Sequence, residues 1–286
     1  MLAVVTQPDR PKGRGRRMVA TPVKQAAAGL GLRVLQPERA SAPEFCEALE
    51  DMRPELLVVV AYGQILRKNL LDVPAWGALN IHASLLPLYR GAAPIHWAIL
   101  NDDPKTGLTA MRLDEGMDTG PVLLQEEAPI SEDETVGELH DRLAAMSGDF
   151  IIRTLQGMAE GRLTEKAQDD SRATYTAKID RDMARVNWDA PADKIGALIR
   201  ALDPWPGAFT TLEGREVKLF AAGGAIEAQE ETEPGRVAGF EEGALRVQTG
   251  EGEVLIGELQ MAGRKRLSAG DFLRGVSLEE GAVLGN

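Results

Sequence analysis

Two polar side chains in the stretch ALNIH, Asn80 and His82, stand two residues apart, and a third group, Asp118, lies in the loop DEGMDTG between Gly116 and Gly120. In an extended strand alternate residues share a face, so Asn80 and His82 point the same way. A carboxamide and an imidazole can both donate hydrogen bonds to a carbonyl oxygen that gains negative charge. A carboxylate beside an imidazole favours the protonated ring. A protonated ring can pass its proton to a leaving nitrogen, and the carboxylate can help relieve an attacking amine of its own, through water. The set therefore suits acyl transfer to an amine without a covalent enzyme intermediate. Plainer readings stand beside this one: a hydrogen-bonded histidine near a sheet for His82, and a turn residue for Asp118.

Positioning these groups calls for an α/β fold. LAVVT at 2–6, LRVLQ at 32–36, LLVVV at 56–60, ALNIH at 78–82 and GLTAMRL at 107–113 read as strands. LLVVV lacks alternation, which predicts a central strand buried on both faces. Helical patterns lie between the strands. Ser41 with Glu44 and Thr135 with Glu138 match capping boxes, and Cys46 reads as a buried small residue. Strands alternating with helices predict an open, Rossmann-like, mostly parallel sheet with helices on both faces, over residues 1–160. Ligands of such sheets sit at the carboxyl ends of strands. Residues 161–180 are polar and read as a linker. A helix with Ile195, Leu198, Ile199 and Leu202 on one face follows, and the PWP at 204–206 ends it. From 208 onward, short strands separated by glycine turns predict a small, OB-like barrel within a carboxy-terminal domain, 181–286, with a loose tail after Val276.

The net charge of −12 argues against a general nucleic-acid binder. Yet Arg10, Lys12, Arg14, Arg16 and Arg17 place five cations within eight residues, with Gly13 and Gly15 making the segment pliable. Such a loop suits phosphate contact, and equally suits a solvated surface. Arg264, Lys265 and Arg266 allow the same two readings; His96, Trp97 and His140 read as packing or surface residues. One cysteine precludes an internal disulfide, no apolar run reaches membrane-spanning length, and the scattered histidines suggest no metal. A cytoplasmic monomer is the expectation.

NIHASLLPLYRGAAPIHWAI, together with the loop from Leu113 to Gly120, resembles the methionyl-tRNA formyltransferase family, part of a wider group of 10-formyltetrahydrofolate-using enzymes. TQPDRPKGRG at 6–15, VVVAYGQIL at 58–66 and the stretch 178–209 resemble the same family. The resemblance implies transfer of a formyl group from 10-formyltetrahydrofolate to the amino group of initiator methionyl-tRNA, for translation initiation. It implies Asn80, His82 and Asp118 as the catalytic trio. Ser84, Leu85, Leu86 and Pro87 would border the folate, and main chain from Arg112 through Leu113, Asp114 and Gly116 to Asp118 would face its pterin. The loop with Arg14 would meet the tRNA acceptor end, and the second domain would support the tRNA. Two departures stand out. The family's opening strand, F-x-G-T-P turn and helix are expected ahead of LAVVT, and the acidic second domain holds twelve Lys plus Arg against eighteen Asp plus Glu over 181–286. A formyltransferase acting on a small amine such as an amino-sugar nucleotide, and a remnant that binds tRNA or folate without turnover, stay open. An unpaired sheet edge costs stability, so adding the expected amino-terminal βα unit should raise the melting temperature in a thermal melt; equal melts would contradict the reading.

Overall fold

The computed structural model describes residues 1–12, 15–228, 233–276 and 281–285. In chain order its first elements are β1 (Val4–Val5), β2 (Arg10–Lys12), β3 (Arg17–Val19), α1 (Pro22–Gly29), β4 (Val34–Leu35), α2 (Pro43–Met52), β5 (Leu57–Val60), α3 (Lys68–Leu71), β6 (Ala78–His82), β7 (Arg90–Gly91), α4 (Pro94–Leu100), β8 (Lys105–Arg112), β9 (Val122–Pro129) and α5 (Val136–Ala159). The chain divides into two compact, interleaved units. Unit 1 comprises Met1–His82, Thr109–Gln125 and Ile151–Ser171; unit 2 comprises Ala83–Leu108, Glu126–Phe150 and Arg172–Asn286.

In unit 1, β1 pairs parallel with β4, and β5 pairs parallel with β6 in a sheet of order β5-β6-β8-β9. The α/β class and its parallel pairs match the sequence pattern, whereas β8 runs antiparallel to β6. Leu79 and Ile81 are buried on one face of β6, while Asn80 and His82 occupy the other. The expectation for LLVVV is corrected: Val58 and Val60 are 41% and 49% exposed. Among the described residues β5 ends its ladder, and an unbroken apolar run does not reveal that it stands at an edge. Ser41 is also not a helix cap. Pro43 opens α2 behind Ala42, and the Ser41 hydroxyl accepts from the Arg67 amide at 2.9 Å. Cys46 is buried beside Leu49 and Leu70.

Unit 2 contains α4, and its Thr135 and Glu138 form the expected capping box, each side chain bonded to the other's amide. The remaining elements are β10 (Tyr175–Thr176), α6 (Ala192–Leu202), β11 (Ala208–Leu212), β12 (Arg215–Ile226), β13 (Val237–Glu241), β14 (Ala244–Gln248), β15 (Glu253–Met261), β16 (Leu267–Ser268) and α7 (Ala269–Gly275). Strands β11 to β16 form one antiparallel sheet of order β11-β12-β15-β14-β13, with β16 on β15. Ile195, Ile199 and Leu202 of α6 pack with Val217, Leu219, Ile256 and Phe272. Among the described residues β11 and β13 do not pair with each other, so the sheet is open where a barrel was expected. Arg266 grips Asp203 through two bonds of 2.6 and 2.9 Å and lies 4.1 Å over the Phe220 ring, which commits it to structure. The tail after Val276 falls partly outside the described residues, but Leu284 is buried in the core of unit 2.

The polar stretch 161–180 is tied down in both units. Val122 and Lys166 exchange both main-chain hydrogen bonds at 2.8 Å, and β10 pairs parallel with β7. No helix among the described residues is long and apolar enough to cross a membrane. Leu79 is fully buried on the strand that carries Asn80 and His82. Leu79→Ala should therefore cost about 2–5 kcal/mol of unfolding free energy, measured by urea denaturation; a loss under about 0.5 kcal/mol would contradict this account of the sheet.

Candidate active site

The site is built on the carboxyl end of β6. Asn80 lies opposite Val59 on β5 and Met111 on β8, and His82 lies opposite Thr109. Directly opposed residues of an antiparallel pair share a face, so Thr109 joins His82 there. Gln125 Nε2 donates to the Thr109 hydroxyl at 2.9 Å, adding a polar group that the sequence pattern does not single out. Asp118 reaches this face from its loop. Its Oδ2 stands 3.7 Å from His82 Nδ1, with side-chain exposures of 16% and 7%. That is ion-pair distance, and such partial burial strengthens the attraction relative to open water.

The loop that delivers Asp118 is held at several points. Arg112 N–H donates to Pro121 O at 3.0 Å, and Leu113 N–H donates to Ala78 O at 2.8 Å. The Asp114 carboxylate accepts from Gly116 N–H at 3.0 Å and from the Thr119 hydroxyl at 2.8 Å. A Cβ on Gly116 would lie 1.9 Å from that hydroxyl, and one on Gly120 would lie 2.0 Å from Arg112 O, so both glycines serve close approach. The Arg112 guanidinium bonds Glu165 at 2.8 Å and also the Trp76 carbonyl. Asp118 itself has a left-handed backbone, φ +54°. Aspartate tolerates this region better than most residues. The Gln168 carboxamide donates to Asp118 O at 2.8 Å and to Gly120 O at 2.7 Å. Nothing in its polar surroundings singles Gln168 out in the sequence.

Residues Ser84–Pro87 belong to unit 2 and form a firmly fixed loop there. Ser84 is fully buried, and its hydroxyl donates to Leu88 O at 2.6 Å. Leu86 is buried, and a Cβ on Gly107 would sit 2.7 Å from the Leu85 side chain. Pro87 O accepts from Thr174 N–H at 3.2 Å. Tyr89, buried and bonded to Asp103, has its hydroxyl pushed up to about 12, chiefly by burial and then by that bond. Unit 2 also holds two cavities of its own. One of about 740 Å³ is lined by Thr135, Asp203, Ala222 and Arg266 among others, and one of about 190 Å³ by Asp102, Asp103 and Arg200 among others.

The described parts of the basic segment include paired strands. β2 and β3 pair antiparallel, with Arg10 opposite Val19 and Lys12 opposite Arg17. Arg14 lies outside the described residues. Arg16 and Arg17 are exposed, and Arg10 reaches Glu38 at 3.5 Å while staying largely in solvent. The hairpin's root is fixed by Asp9, which accepts from Gln36 and Lys24 at 2.7 Å each. The Gln36 bond, then the Lys24 bond, holds the Asp9 carboxyl below its ordinary value. His140 pairs with its neighbour Asp141 in solvent, Trp97 donates to Ala177 O, and burial lowers the His96 imidazole.

Residues 1–155 match the family model described as "Formyl transferase", and residues 178–277 match "Formyl transferase, C-terminal domain". The "Methionyl-tRNA formyltransferase" of Pelobacter propionicus is 46% identical over 285 residues, which is 100% of this chain and 88% of that protein. The protein of the same name from Syntrophus aciditrophicus is 46% identical, over 99% of this chain and 90% of its own. Among solved structures, HypX from Aquifex aeolicus in complex with tetrahydrofolic acid is similar in fold, with TM-score 0.63 and 20% identity over 88% of this chain and 44% of its own. WlaRD, a sugar 3N-formyl transferase, gives TM-score 0.63 and 17% identity over 92% of this chain and 88% of its own. By both its domains and its whole-length relatives, the chain belongs to the formyl transferase family.

Proposed function

We propose that this enzyme moves the formyl group of 10-formyltetrahydrofolate onto the free amino group of initiator methionyl-tRNA, in the cytoplasm, with Asn80, His82 and Asp118 as the reacting set. The observation that carries the reading is the 3.7 Å approach of the Asp118 carboxylate to His82 on the strand face that also bears Asn80. The donor supplies a carbonyl carbon already at the formyl oxidation level. Asn80 and His82 donate hydrogen bonds to its oxygen as charge builds there. Asp118 stabilises charge on the imidazole, which protonates the nitrogen that leaves, and it draws a proton from the attacking amine through water.

The donor's fit is supported by the main chain of the Leu113–Asp118 loop, drawn tight by Gly116 and Gly120. A flat, heteroatom-rich ring is read well by main-chain polar groups against apolar side chains. The acceptor is supported by the names of relatives that match the whole chain and by the basic segment with Arg10, Lys12, Arg14, Arg16 and Arg17.

A formylation assay with charged initiator tRNA tests the chemistry. His82→Ala and Asp118→Asn should each lower kcat by about 10²–10⁴-fold with far-ultraviolet circular dichroism unchanged. Parental rates in both variants, or an equal rate on a small free amine, would overturn the proposal. The hairpin carries a second expectation. Replacing Arg10, Arg16 and Arg17 with Ala should raise KM for the tRNA and flatten the dependence of log kcat/KM on log salt, by roughly one unit of slope for each phosphate that the variant no longer touches. An unchanged slope would remove the hairpin from tRNA contact.

A further inference from the structure

Three anchors in the stretch 165–168 grip the two ends and the middle of the loop that carries Asp118. Glu165 takes the Arg112 guanidinium where the loop leaves β8. Lys166 pairs its main chain with Val122 where the loop enters β9. Gln168 donates one N–H to Asp118 O and the other to Gly120 O. All of these residues lie in unit 1. Gln168 reaches Asp118 through its main-chain carbonyl, while the Asp118 carboxylate approaches His82.

We propose that Gln168 is a positioning residue of the reaction, fixing the main chain on both sides of Thr119 so that the Asp118 carboxylate meets the His82 ring. The proposal rests on the functional reading above. A carboxamide suits this task because its two N–H groups can each satisfy a carbonyl, whereas a carboxylate in the same place has only acceptors to offer. Without those donors the left-handed turn at Asp118 loses two of its ties, and the carboxylate drifts from the ring. A displacement near 1 Å at a reacting group is enough to cost about 10²-fold in rate.

The test uses the whole chain with Gln168→Met, which keeps the side chain's length without its donors, and Gln168→Glu, which keeps its shape and reverses its polarity. Asp118→Asn serves as reference. The expected result for Gln168→Met is a kcat about 10- to 100-fold lower, with KM for both substrates within about twofold of the parent. A structural loss elsewhere would not reproduce a second signature. The chain has three histidines, so ring resonances in a ¹H–¹³C spectrum can be assigned by substitution. The His82 signal should move in Gln168→Met in the direction it moves in Asp118→Asn, while the His96 and His140 signals stay in place. Gln168→Glu should be impaired at neutral pH and recover relative to the parent as acid protonates the new carboxyl and restores one donor. A parental kcat in Gln168→Met beside an impaired Asp118→Asn overturns this proposal alone. So does a fallen kcat with an unmoved His82 signal, or a Gln168→Glu to parent ratio that is flat with pH. A parental Asp118→Asn overturns the functional reading, and this proposal with it.

Discussion

The approach of the Asp118 carboxylate to His82 sets the terms for everything around it. His82 is almost fully buried on a strand whose position is fixed by pairing on both sides. Asp118 comes from a loop and must be brought to that place and kept there. Its left-handed backbone, the close approaches at Gly116 and Gly120 and the partial burial of a charge are each unfavourable in isolation. They are offset by local bonds of about 1 kcal/mol each, from Asp114, Arg112, Leu113 and Gln168. No single bond accounts for the site; the loop persists because several weak ties agree on one geometry.

The antiparallel course of β8 explains why this loop needs so much support. His82 lies opposite Thr109, but β8 ends at Arg112, opposite Leu79 near the start of β6. The chain therefore leaves β8 at the wrong end of β6 for meeting His82, and Leu113 is still bonded to Ala78. From Ala78 to His82 the strand rises about 13 Å, four residues at about 3.3 Å each. The loop has to travel back along β6 before it turns toward Pro121, and the two side chains close the rest of the distance. A compact helical turn would not cover that span, so an open loop with glycines at its tight points is the workable solution. A parallel β8 would have delivered its loop directly to the histidine end, with less need of an outside strap.

What can be read in the sequence follows from how local each signal is. Strand alternation places Asn80 and His82 on one face, and the glycines around Asp118 mark a loop; both signals involve neighbours in sequence, and both agree with the structure. The exposure of β5 is hidden because an unbroken valine run encodes hydrophobicity and not the number of partner strands. Ser41 misleads because a capping box depends on where the helix begins, and Pro43 moves that start by a residue. The basic segment is legible as charge but not as a hairpin, for PDRPKGRGRRM has no alternation to announce pairing. Gln168 is invisible for a deeper reason. Its partners lie 50 and 48 residues away, and a polar stretch without periodicity looks the same whether it is a solvated linker or a strap.

The proposed function raises a question of charge, since a chain of net charge −12 would have to meet a polyanion. The two are compatible because screening separates local from global fields. At physiological ionic strength the Debye length is about 8 Å. Exposed cations on a hairpin thus act on phosphates in contact with them, while carboxylates farther off contribute little. Arg266 does not add to this patch, being committed to Asp203 and Glu258. Under the proposed function the attraction would be concentrated where Arg10, Arg16 and Arg17 are exposed, and the acidic remainder would disfavour unspecific adhesion of nucleic acid elsewhere. A uniformly basic surface would bind tRNA in many orientations. On the proposed function, an acidic body with a basic hairpin would favour orientations in which phosphate reaches that hairpin, and orientation is what presenting a single amino group to the proposed site would require.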